Sequence, residues 1–186
     1  MHILARRGVA VIAFAVALSG CGGRIPNKVS SDEYEVYSAW VNTHFSHRAP
    51  SNLYISTDTF IFDPIEKTIG CSSTEMVEKA GVPSSLIRQL HALGEAEYPL
   101  DVDSPTSQLR IAWNYKAADD WQLLSEEHLQ FQVVGFSRVA FNRAHTKALF
   151  AVIDTCGGLC GWGTAVYARK ENGAWVFENG GCDWMY

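Results

Sequence analysis

Five cysteines are the residues best equipped for chemistry in this 186-residue chain. A thiolate can take an acyl group, close a disulfide, exchange with one, or ligate a metal. Cys156 and Cys160 enclose Gly157-Gly158-Leu159, Cys71 and Cys182 stand apart, and Cys21 follows an apolar run. Thiol exchange favours a C-x2-C pair at a helix N-terminus; here the spacing is C-x3-C in the connection between two expected strands, with no helix N-terminus expected there. Zinc could use Cys156, Cys160 and Cys182 with a histidine, but no paired C-x2-C or H-x3-H knuckle is present. A structural disulfide is the simplest use of these residues. His44 and His47 lie near the end of a helical pattern and could together meet a metal, while His91, His128 and His145 are scattered. Ser137-Arg138 and Asp154-Thr155 are polar pairs near strand ends, where sites often form, yet no nucleophile, base and acid can be assembled from them. The chain has no G-x-S-x-G, P-loop, H-E-x-x-H or G-x-G-x-x-G motif, so no catalytic residue, metal ligand or cofactor is assigned.

Cys21 has a context of its own. His2, Arg6 and Arg7 make a basic start, and Gly8 to Leu18 (GVAVIAFAVAL) is an uncharged run of 11 residues. A spanning helix needs about 20. Leu18-Ser19-Gly20-Cys21 follows directly and resembles the lipobox of bacterial lipoproteins. The resemblance implies that residues 1–20 are a cleaved export signal and that Cys21 carries diacylglycerol and palmitate. Residues 21–30 then form the lipidated cysteine and a small, polar, proline-containing tether, and 31–186 a single domain. Gly22 stands where inner-membrane lipoproteins often carry Asp. In a cell with two membranes this favours the periplasmic face of the outer one.

Removing 20 of the 186 residues leaves 166, enough for one domain with a proper core. Arg6 and Arg7 leave with the signal while all 20 carboxylates stay, so the formal charge moves from −5 to −7. An acidic chain without a basic cluster offers nothing to nucleic acid. It also gains nothing from anionic lipid surfaces, so attachment to the membrane is expected through the lipid on Cys21. Four cysteines remain for an oxidising compartment, which suggests two disulfides.

The elements that must position these residues follow from periodicity. Ser30 and Glu33 make a capping box, and Tyr34, Tyr37, Trp40, Val41, His44 and Phe45 then form one helical stripe, read as core. NLYIS (52–56) is a strand candidate. Ser72 and Glu75 cap a second helix that Gly81 stops. Pro83 opens a third, with Leu86, Ile87, Leu90 and Leu93 on one face and Gly94 ending it. Residues 95–107 read as loop, Gln108 to Trp113 as a strand, and 120–128 as helix or turn. Glu95, Glu97, Glu126 and Glu127 are simplest as solvated acids. Val133 to Phe141, Lys147 to Asp154, Gly163 to Arg169 and Ala174 to Phe177 are four strands, and Asn172-Gly173 is a type I′ turn. The expectation is an α+β fold: a four-stranded antiparallel meander with two to three N-terminal helices on one face.

In that meander, Asp154 near Trp162 would set Cys156 and Cys160 across the neck of one loop. The Asn172-Gly173 turn would place Cys182 opposite Gly163 and near Cys160. Cys156–Cys160 with Cys71–Cys182 is favoured, and Cys160–Cys182 competes.

Ser137-Arg138-Val139-Ala140-Phe141-Asn142, Ala148-Leu149-Phe150, Cys156-Gly157-Gly158-Leu159-Cys160-Gly161 and Gly173-Ala174-Trp175-Val176 occur in that order. Over about residues 130–180 this resembles a group of uncharacterised bacterial proteins with an S-R-V-G-F-N, A-L-V-Y, C-G-x-L-C-G and G-x-W-x-V signature. Ala140 replaces a glycine of that signature, and Cys182 is an addition. The resemblance implies a fold and no mechanism. The functional expectation is a lipid-anchored envelope protein, non-catalytic, that binds an envelope partner or serves a structural role. The alternative is an envelope enzyme working through the Cys156/Cys160 loop by thiol exchange or with zinc.

Overall fold

The computed structural model describes residues 28–46, 53–64, 72–102, 107–112, 114–118, 132–155 and 161–185. The expectations for 1–20, Cys21, His47, Cys71, Trp113, 120–128, Cys156 and Cys160 fall outside them.

Among the described residues, three helices and seven strands make an α+β fold: α1 (Ser31–His44), β1 (Leu53–Ser56), α2 (Ser73–Ala80), α3 (Ser84–Leu93), β2 (Tyr115–Ala118), β3 (Gln132–Phe136), β4 (Ala140–Phe141), β5 (Lys147–Thr155), β6 (Gly161–Glu171) and β7 (Ala174–Met185). The sheet runs β2-β1-β3-β5-β6-β7, with β4 also on β5. It is mixed, because β1 lies parallel to both β2 and β3 while the remaining pairs are antiparallel. This corrects the expected four-stranded meander: Leu53–Ser56 of the NLYIS segment joins the same sheet. The strand expected at 108–113 is not formed by its described residues, and the partner of β1 begins at Tyr115, two residues beyond that segment.

The helices are also divided between the two faces. Val36, Tyr37, Trp40 and Val41 of α1 pack with Phe136, Phe150, Val152 and Val166 on one face. Met76 of α2 and Leu86, Ile87 and Leu90 of α3 pack with Leu149, Ala151, Ala165 and Trp184 on the other. A strand covered on both sides needs a continuous apolar run, and Ala148-Leu149-Phe150-Ala151-Val152 is fully buried.

Local signals explain the helix ends. The Ser30 side chain accepts from the Glu33 amide and Glu33 caps the Ser30 backbone, closing the box. Ser72 caps α2, and Gly81 ends it in the left-handed region at φ +64°. Asn172 and Gly173 both have positive φ, 51° and 84°, as a type I′ turn requires.

The expected strand 133–141 is broken at Ser137-Arg138-Val139. Between Phe136↔Val152 and Ala140↔Leu149 the chain gains one residue over its partner, a bulge. Ser137 Oγ accepts from the Ala151 amide (2.8 Å), leaving the Ser137 carbonyl to accept from Tyr37 Oη (2.8 Å). Arg138 turns inward to Glu33 with Nε–Oε1 2.7 Å, and both side chains are almost wholly buried. The Glu33 carboxylate also accepts from the Val139 amide (3.1 Å), the Ser30 amide (2.8 Å) and the Ser30 hydroxyl (2.9 Å). Arg138 donates to the Lys28 carbonyl (3.3 Å) and lies 4.4 Å from the centre of the Tyr98 ring.

Removing one member of a buried ion pair strands the other, at a cost of about 3–5 kcal/mol. Glu33→Ala and Arg138→Ala should each lower the urea unfolding free energy by that amount. Glu33→Leu/Arg138→Met should lose clearly less than the two alanine losses added together, which a double-mutant comparison checks.

Candidate functional site

α1 carries His44 away from this ion pair, along the sheet, to the end where β3 and β6 begin and β5 finishes. Across the strands Asp154 pairs with Trp162 on one side and Val134 on the other. The pleat puts Gln132, Asp154 and Trp162 on the α1 face. Gln132 Nε2 donates to both Asp154 oxygens at 2.8 and 2.7 Å, and the Trp162 side chain donates to the same carboxylate. His44 Nε2 lies 3.8 Å from Asp154 Oδ2, close enough for an ion pair but beyond a hydrogen bond. The His44 ring stacks on Trp40 at 4.5 Å and 11°, meets Phe45 edge-on at 4.8 Å, and tilts toward Trp162 at 5.7 Å.

Burial pushes the Asp154 carboxyl up to about 6, against the opposing pull of the Gln132 and Trp162 hydrogen bonds. Burial also lowers the His44 imidazole, although its side chain keeps 36% exposure. Two groups of ordinarily distant pKa are thus brought closer together, an arrangement suited to exchanging a proton with a bound group. The aromatic ledge beside them suits a planar or cationic group. This corner is the candidate site. Periodicity assigned His44 to a packed stripe and Asp154 to a strand end, and did not bring them together. The polar residue at 154 after an unbroken apolar run was the available signal.

The other expected positions divide clearly. Ser137 and Arg138 serve the bulge and the buried ion pair. Thr155 faces away from Asp154, and its buried Oγ1 has no hydrogen-bond partner among the described residues. His91 pairs with Asp63 at 2.8 Å, and His145, stacked on Phe141, pairs with Asp32. Glu95 and Glu97 are exposed. Among the described residues no three His, Cys, Asp or Glu side chains converge as a metal site.

Cys182 corrects the sequence register. The β6–β7 pairing shifts between Thr164 and Val166, so Trp184, not Cys182, stands opposite Gly163, and Asp183 stands opposite Thr164. Gly180-Gly181 supplies the irregularity, with Gly181 at φ +87°. A Cβ on Gly181 would stand 3.0 Å from the Glu75 carbonyl and 3.1 Å from Met76 Cα, so α2 sits directly on this glycine. Cys182 is buried beside α2 and is disulfide-bonded to a residue outside those described. That removes it from any zinc set with Cys156 and Cys160. Trp184 covers Gly163 and stacks on Phe62 at 5.5 Å.

An aspartate with a raised folded pKa binds its proton more tightly when folded. Its contribution to stability is therefore greatest below the unfolded pKa near 3.8 and falls as pH rises to about 6. The loss is on the order of 3 kcal/mol. His44, lowered on folding, acts in the opposite sense as pH rises toward 6.5. The difference between urea-unfolding curves of wild type and Asp154→Asn from pH 4 to 7 isolates the aspartate and should show this fall. Comparison with family models, with curated proteins and with solved structures finds no match to this chain.

Proposed function

We propose that the protein is a lipid-anchored module of the bacterial cell envelope, acylated on Cys21, that binds an envelope partner. The observation that carries the anchoring is Leu18-Ser19-Gly20-Cys21 at the end of an 11-residue uncharged run behind a basic start. In this reading the tether ends where the domain takes hold of the chain. Lys28 is bonded through its carbonyl to Arg138, and Val29 is buried in the α1 core. The His44–Asp154–Trp162 corner is the partner-facing site, with membership of the S-R-V-G-F-N signature group as the ancestry.

The cysteines complete the reading as Cys71–Cys182 and Cys156–Cys160. Support for the first comes from Cys182 lying against α2, whose cap Ser72 directly follows Cys71. Cys160–Cys182 is disfavoured by the shifted register. From Gly161 to the level of Cys182 is about four residues of β6, on the order of 13 Å at 3.3 Å per residue, whereas a disulfide closes Cα atoms within about 7 Å. Support for the second comes from the Thr155↔Gly161 pair, since residues 156 and 160 continue from facing positions.

One observation favours the alternative, an envelope enzyme. His44 and Asp154 supply an acid and a base, and Asp154 lies two residues along the chain from Cys156. Thiol titration of the oxidised mature protein separates the two: no reactive thiol supports the binding module, and a titratable Cys156 or Cys160 supports the enzyme.

Labelled palmitate should enter the wild-type protein and sediment with membranes, and Cys21→Ser should abolish both. A wild-type protein that takes up no label and stays soluble would sink the anchored reading. His44→Ala and Asp154→Asn should weaken capture of the envelope partner at least tenfold while leaving acylation intact.

A further inference from the structure

We propose that a second copy of this chain pairs with the open edge of β7, antiparallel around Val176, so that two anchored domains share one sheet. This rests on acylation of Cys21, because the lipid supplies the confinement that so short an edge requires.

β7 ends the strand order, and the type I′ turn at Asn172-Gly173 fixes which of its backbone groups are free. The residues flanking such a turn, Glu171 and Ala174, bond to each other, and alternate pairs then turn outward. The Lys170 amide follows this alternation: it donates to the Thr146 carbonyl (2.8 Å), on the side away from β7. The backbone groups of Trp175, opposite Lys170, and of Phe177, two residues on, therefore face out of the sheet. Among the described residues no backbone group meets them there. Proteins commonly protect such an edge with lysine, proline or a bulge. β2, at the opposite edge, is four residues long and carries the exposed Lys116. Residues 174–178 contain neither lysine nor proline, and the register shift of β7 comes only beyond them.

The segment is complementary to itself. With Val176 opposite Val176 of the second copy, Trp175 of each chain meets Phe177 of the other, and each such pair exchanges both of its backbone bonds. Val176, which is 38% exposed, gains an apolar neighbour on the opposite face. Glu178 falls opposite Ala174, so no like charges face each other across the axis. The charged side chains beside the segment already have partners within the chain: Arg169 with Glu171 and Glu178, and Lys170 with Glu35.

Five residues of edge are a small contact beside the roughly 1,200 Å² at which standard interfaces begin, so the pair is weak in free solution. The anchor changes that. Glu35 of α1 accepts from Trp175 Nε1 (2.9 Å), which sets the N-terminal part of α1, and the tether before it, at this end of β7. A two-fold axis beside Val176 brings both tethers to the middle of the pair, with both α1 helices on one side of the shared sheet. Lys28 follows Cys21 by seven residues, a reach of roughly 25 Å at about 3.5 Å each, so both lipids enter one leaflet. Confinement to that leaflet raises the effective concentration of the second edge.

The test uses acylated mature protein in phosphatidylcholine vesicles, with introduced cysteines oxidised by copper phenanthroline and unsubstituted protein as the blank. Val176→Cys should cross-link into dimers at least tenfold more than Met185→Cys. Random collision favours the reverse, because position 185 is 87% exposed. Met185 lies nine residues from the axis, so its two copies are roughly 60 Å apart at 3.3 Å per residue. Ala174→Cys mixed with Glu178→Cys should cross-link, whereas neither should do so alone. Like positions there are about 13 Å apart, and a disulfide closes Cα atoms within about 7 Å. Val176→Lys added to both should abolish the mixed cross-link by setting two ammonium groups face to face. In acylated, vesicle-bound protein, cross-linking at 176 no stronger than at 185 overturns the pairing alone. So does cross-linking of 174 or 178 alone as strong as in the mixture. Absence of acyl mass on Cys21 overturns the anchored reading and this inference with it.

Discussion

A carboxylate and a guanidinium buried together hold the N-terminal helix to the sheet. Taking either ion from water costs several kcal/mol, and Coulomb attraction alone does not restore it. Glu33 offsets the cost by accepting from Arg138, from the Val139 amide and from both donors of Ser30. The helix cap and the buried ion pair are therefore one structure. The bulge at Ser137-Arg138-Val139 exists at the same place, since a regular strand there would have kept Arg138 in the pleat. Ser137 repairs the ladder with its hydroxyl and frees its carbonyl for Tyr37, so the helix is tied down twice.

With α1 placed, the remaining geometry follows from covering the sheet. Phe136, Phe150 and Val152 face α1, while Leu149, Ala151 and Ala165 face α2 and α3. Close approach on the second face depends on Gly181, where α2 rests on backbone, and on Gly163, where Trp184 lies flat. The glycine pair that admits α2 also shifts the β6–β7 register. One local irregularity thus decides which residues Cys182 can reach.

The two ends of α1 differ in chemistry. Its first turn meets the buried ion pair and the paired surface charges. Its last turn delivers His44 to a buried carboxylate and an aromatic ledge. Structural electrostatics occupy one end of the domain, and groups able to exchange a proton occupy the other.

Much of this was legible in order along the chain. The capping box at Ser30, the N-cap at Ser72, the stops at Gly81 and Gly94, the Asn172-Gly173 turn and the Asp154–Trp162 level are short-range matters, set by hydrogen bonds within a few residues and by side-chain period. Partnership across long separations was not legible. Nothing near Glu33 names Arg138, 105 residues away, and nothing near His44 names Asp154. The unbroken run from Ala148 to Ile153 could have announced a sheet covered on both faces, but strand alternation was read as one-sided. The parallel placement of β1, the division of the helices and the meeting of His44 with Asp154 were decided by tertiary packing. A local pattern states which face of an element is apolar; only the competition to bury all such faces at once determines what each one meets.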